Sequence, residues 1–86
     1  MTYRVLWSPT ALKELERLPK DLVRRIVAKV GAAGGDPHRF LERLVDDPGY
    51  KLRVGEHRVL IDVLTQEHAL AVRHIGHRHT IYDRKR

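Results

Sequence analysis

Through the first part of the chain apolar residues recur every three or four positions; through the later part they recur every second position. The period changes between residues 36 and 50, so helices are expected before it and strands after it. Tyr3-Arg-Val-Leu-Trp7 alternates and predicts an opening strand. Ser8-Pro9 follows, a hydroxyl cap ahead of a proline in the first helical position. Leu12, Leu15 and Leu18 then repeat at helical spacing, with Lys13, Glu14, Glu16 and Arg17 outward. Pro19 interrupts this helix and opens a second, in which Leu22, Val23, Ile26, Val27 and Val30 build the stronger apolar stripe. Gly31, Gly34 and Gly35, ahead of Asp36-Pro37, end it.

Residues 37–49 carry no clear period and read as a short helix or an irregular connection, closed by the turn Asp46-Asp-Pro-Gly49. Residues 50–54 and 57–64 alternate around Gly55-Glu56, which suits a two-residue hairpin with glycine first. That turn sets the register: Val54 against His57, Arg53 against Arg58, Leu52 against Val59. Residues 68–76 supply a further strand. The expected order is β-α-α-β-β-β, an α+β fold in which a helical hairpin packs on a small, mostly antiparallel sheet, with residues 1–86 as a single domain.

Eighty-six residues support only a thin core, and a binding partner would add to its stability. The absence of cysteine removes disulfides and thiolate metal sites, and fits a reducing compartment. No stretch approaches the ~20 apolar residues that span a bilayer, and none reads as a signal peptide, so a soluble cytoplasmic protein without a membrane role is expected. The net charge is +6, from 17 Lys and Arg against 11 Asp and Glu. The excess lies late. Residues 50–86 hold eight basic and four acidic side chains with five of the six histidines, which points to nucleic acid or an acidic protein as partner.

The hairpin register places Arg53 opposite Arg58 with Lys51 on the same face. Like charges opposed across strands cost up to ~1 kcal/mol, so such a cluster suggests a phosphate to bind. The alternatives are a register slip that separates these cations, or acids such as Glu42, Asp46 or Asp47 folding over them. His74, His77 and His79 invite a metal site, but no cysteine or carboxylate completes the shell. They read better as proton-transfer or phosphate-contact groups, and His57, His77 and His79 are taken as substrate-binding candidates. Tyr82 either stacks on a base or packs back on the sheet with Ile81. No phosphate-cradling glycine loop, nucleophile elbow or metalloprotease motif is present. What remains is cationic, imidazole and phenolic chemistry. It suits RNA cleavage by the substrate's own 2′-hydroxyl, with neither metal nor cofactor.

Tyr50-Lys-Leu-Arg-Val-Gly-Glu-His-Arg-Val-Leu60 and Ile75-Gly-His-Arg-His-Thr-Ile-Tyr82 are similar, in this order, to the basic hairpin and closing motif of the RelE/ParE toxin family, on the RelE side. The resemblance spans nearly the whole chain. It implies a toxin of a toxin–antitoxin pair: a ribosome-dependent endoribonuclease (mRNA interferase) that cuts mRNA in the A site, inhibits translation and leaves a 2′,3′-cyclic phosphate. It also implies an acidic, RelB-like antitoxin as partner.

Carried over by motif, the catalytic residues are Lys51 and Arg53 from the basic pair, Arg58 after the turn, and Arg78 and Tyr82 of the closing run. Arginines suit the charge of a phosphorane, whereas Arg53 cannot act as a base. Lys51, His77, His79 and Tyr82 stay open as the base. The four cations are expected to converge on one concavity. Two other readings stand beside this one: a ParE-like inhibitor of DNA gyrase that cuts no RNA, and a degenerate toxin that only binds its antitoxin.

Overall fold

The computed structural model describes residues 2–84. Strand β1 (Arg4–Trp7) leads into α1 (Pro9–Glu16), α2 (Lys20–Gly35) and the short α3 (Pro37–Phe40). Strands β2 (Glu42–Arg43), β3 (Tyr50–Val54), β4 (His57–Leu64) and β5 (Ala69–His77) follow, and a 3₁₀ turn covers Ile81–Arg84. Ser8 caps α1 as its sequence suggests, its Oγ accepting from the Ala11 N–H at 3.0 Å. The same hydroxyl donates to the Arg73 carbonyl at 3.0 Å, tying the start of α1 to β5.

The strands form one mixed sheet in the order β1-β5-β4-β3-β2. β2 through β5 run as an antiparallel meander, and β1 pairs in parallel with β5. The β3–β4 register is the one the Gly55-Glu56 turn dictates, with Arg53 opposite Arg58. Gly55 has φ +58°, a conformation that costs other residues about 1–2 kcal/mol. One register shift interrupts β4–β5. Leu60 faces His74 and Ile61 faces Val72, so Arg73 is the extra residue of a bulge.

Helices cover one face of the sheet. Ala11, Ile26, Val30 and Ala33 pack against Leu52, Val54, Val59, Ile61, Leu70, Val72 and Ile75. Close approach of α2 to β1 depends on Gly34: a Cβ there would lie 2.7 Å from the Tyr3 carbonyl oxygen. Leu12 and Val27, grouped with the apolar stripes by spacing, are 47% and 46% exposed. Glu14, read as outward, instead turns inward and accepts the Ile75 N–H at 2.7 Å.

The opposite face carries no helix. Leu60 and Ile81 are fully buried there, outside the main core cluster. Ile81 sits on Gly76, where a Cβ would stand 2.9 Å from the Ile81 Cδ1. The missing side chain of Gly76 therefore makes room for the 3₁₀ turn. Among the described residues no helix is long and apolar enough to cross a membrane.

Candidate functional site

Cross-strand partners share a face, so the pairs Lys51–Leu60, Arg53–Arg58, Arg58–Gly76 and Leu60–His74 place Lys51, Arg53, Arg58 and His74 together on the helix-free side. The alternation of β3 is the cause, since Tyr50, Leu52 and Val54 take the core side.

Lys51 stands on β3, between the central strand β4 and the edge strand β2. Its ammonium lies 5.8 Å from the ring centroid of Tyr82, within cation–π range. Lys51 and Tyr82, with Leu44 and Val45 of the β2–β3 connection, line a cleft of about 260 Å³. Val45, 81% exposed, forms its outer lip.

The cations meet different partners. Lys51 Nζ and Arg53 Nη1 approach the same carboxylate, that of Glu42, at 3.9 and 4.0 Å. Glu42 is thus the acid that folds over the cluster, brought there by pairing opposite Lys51 in β2. Both contacts are long and solvated, and are worth little to stability. Arg58 is only 7% exposed, and its Nη1 donates to the Gly55 and His57 carbonyls at 2.9 and 2.8 Å. Among the described residues no carboxylate pairs with it. Arg78, past the end of β5, pairs through Nε with Glu56 of the hairpin turn at 2.9 Å, and its N–H donates to the Glu56 carbonyl at 2.9 Å. Of the expected constellation, Lys51, Arg53 and Arg58 share one face and Tyr82 joins Lys51. Arg78 pairs with Glu56 at the hairpin turn, and Arg53, Arg58 and Arg78 lie outside the cleft lining.

The family model for the ParE toxin of the type II toxin–antitoxin system parDE matches residues 5–82. The chain belongs to the RelE/ParE family of type II toxins. Solved RelE-type structures share its fold. The RelBE2 toxin–antitoxin complex of Mycobacterium tuberculosis aligns with a TM-score of 0.83 and 22% identity, over 91% of this chain and 100% of that one. The RelE–RelB complex of Pyrococcus horikoshii gives 0.74 and 26% identity, over 91% and 97%. The intact RelBE complex of E. coli gives 0.77 and 20% identity, over 87% and 95%. No curated protein matches the chain by sequence.

The toxin's remaining candidates, His57, His77 and His79, form a stack of their own. The His57 and His77 rings meet edge-on at 5.6 Å, and His77 stacks on His79 at 4.9 Å. The His79 N–H donates to His77 Nδ1 at 3.2 Å, which leaves Nε2 as the protonated nitrogen of a neutral His77 ring. His57 pairs with Val54, so this stack begins on the helix side of the sheet, opposite Lys51 and Arg58. Burial, above all, pushes the His57 pKa down; the His77 and Arg25 charges act the same way, and Glu56 opposes them. Arg25 of α2 lies over the hairpin turn, its Nη2 3.1 Å from where a Gly55 Cβ would stand. Neither Arg25 nor the apolar wall of Leu44 and Val45 was legible in the sequence, because both reach the site only through tertiary packing. Among the described residues no group of three His, Asp or Glu side chains is placed to hold a metal ion.

Proposed function

We propose that this toxin is an endoribonuclease that cleaves mRNA in the ribosomal A site and so halts translation in the cytoplasm. The observation that supports this reading is the helix-free face, where Lys51, Arg53 and Arg58 stand in register beside a cleft formed by Lys51 and Tyr82. A flat aromatic ring suits a splayed base, and the cations suit its phosphates. The 2′-hydroxyl of the substrate attacks the adjacent phosphorus, the bond to the 5′-oxygen breaks, and a 2′,3′-cyclic phosphate and a 5′-hydroxyl remain. Guanidinium and ammonium groups stabilise the charge added in the transition state. No metal is needed for these steps.

Incubation with programmed ribosomes, followed by mapping of new 5′ ends with and without a chelator, tests this. Cleavage within A-site codons that survives chelation is expected. Intact mRNA in the presence of folded protein overturns it.

The solved relatives are complexes with RelB-type antitoxins. An acidic segment of that kind, laid over Lys51, Arg53 and Arg58, would neutralise the face and exclude RNA. A second reading is favoured by the matching family model, whose description is that of the ParE toxin. Under it the chain inhibits DNA gyrase and leaves mRNA whole. A supercoiling assay separates the two.

A further inference from the structure

Across the helix-free face, one row of side chains runs Lys51, Leu60, His74 over β3, β4 and β5. Lys51 and His74 thus stand on either side of the central strand, about 10 Å apart at the backbone, with Arg58 about 7 Å along β4 from Leu60. His74 is held in an unusual way. Its Nδ1 is buried without a hydrogen bond and faces the Glu14 Oε2 at 3.8 Å. The Glu14 side chain is 11% exposed and its other oxygen accepts the Ile75 N–H at 2.7 Å. That N–H is free for Glu14 because β1 stops at Trp7, whose partner on β5 is Val72. The neighbouring charges, Arg73 and Asp62, pair with each other at 3.3 Å. With Nδ1 buried against a carboxylate, Nε2 is the nitrogen that the ring presents to solvent.

We propose that His74 is the general base of the cleavage reaction and that Glu14 is its positioning residue; this rests on the nuclease reading above. His74 Nε2 removes the 2′-hydroxyl proton, the 2′-oxygen bonds to phosphorus, and the Glu14 carboxylate stabilises the imidazolium that forms. The bond from phosphorus to the 5′-oxygen breaks on the opposite side, where the Lys51 ammonium gives up a proton to the departing oxygen. Base and acid on opposite flanks of one strand match the in-line path of such a displacement. The contact of 3.8 Å shortens to a hydrogen bond once the ring is charged.

The experiment is single-turnover cleavage of mRNA on programmed ribosomes between pH 5 and 9, with thermal melts of each variant. For wild type the rate should fall on the acid side as one histidine protonates. His74→Gln should lower the rate about 10²-fold or more and remove that acid limb. Glu14→Gln, which keeps an oxygen for the Ile75 N–H, should lower the rate less and move the limb to lower pH. Should His74→Gln fail to fold, the displaced limb of Glu14→Gln decides alone. A folded His74→Gln within threefold of wild type, or a Glu14→Gln profile superimposed on wild type, overturns the proposal and leaves the nuclease reading standing. A wild-type protein that cuts nothing overturns both.

Discussion

Arg53 stands directly opposite Arg58 in the β3–β4 ladder, yet the two guanidinium groups go to different environments. Arg53 points to solvent with Glu42 4.0 Å away, while Arg58 is buried and donates to the Gly55 and His57 carbonyls. The repulsion that the pairing implies is relieved by this divergence. It also splits the two residues by role, since only Arg58 helps to close the hairpin.

Arg58→Ala should therefore destabilise the protein by about 2 kcal/mol, because two carbonyls lose a charged donor inside the fold. Arg53→Ala should stay within about 0.5 kcal/mol of wild type. Urea unfolding of the two variants measures this. Equal midpoints for both would contradict the assignment, and any loss of toxicity in Arg58→Ala has to be read against its lower stability.

Gly76 and Ile81 make a second test. With Ile81 Cδ1 only 2.9 Å and Ile81 Cβ 3.5 Å from the position of an added Cβ, Gly76→Ala makes the Ile81 side chain shift where it rests on the sheet. Because a terminal methyl can relieve most of the contact, the cost should lie near the low end for overpacking, about 1 kcal/mol. A melting temperature lower by a few degrees is expected; unchanged melting would show that Ile81 is not seated as described.

The fold was legible where local chemistry decides it. Ser8-Pro9 opens α1, and Gly55-Glu56 fixes the hairpin together with its register, since a one-residue slip would have turned Leu52 and Val59 out of the core. The stretch 37–49 was not legible, because β2 has only two residues and is held by pairing with β3 rather than by any period of its own. Nothing local announces that β1 pairs with β5, a contact closed over more than sixty residues. In the candidate site, the shared face of Lys51, Arg53 and Arg58 followed from alternation alone. The separation of His57 from those cations follows from alternation too, since it pairs with Val54 on the core side. Glu14 was misjudged because helical periodicity places residues on a face and does not show that a carboxylate will satisfy a strand N–H beyond the end of β1.

The His57 imidazole offers a pH test. Its pKa lies below the ordinary value of about 6.5, chiefly through burial. Between the folded and unfolded values the unfolded chain binds more protons, so stability falls as the pH drops through that window and is fully present above it. His57→Gln should flatten the decline in urea midpoint between pH 7 and 5. The same slope in the variant and in wild type would mean that His57 is not a source of the acid sensitivity.

A change at Glu42 probes the face while leaving its cations, Lys51 and Arg53, in place. The carboxylate sits 3.9 Å from Lys51 and 4.0 Å from Arg53, and is half exposed, so it competes with any phosphate that approaches them. Because solvated pairs at such distances contribute at most about 1 kcal/mol, Glu42→Gln should leave the melting temperature almost unchanged. Freed of that carboxylate, both cations face a polyanion with one more net positive charge between them. Binding of a short single-stranded RNA should tighten severalfold, and its affinity should depend more steeply on salt. Fluorescence anisotropy at two or three salt concentrations measures both quantities. If affinity and salt slope are those of wild type, RNA does not lie along Lys51 and Arg53, and the helix-free face is not the substrate surface.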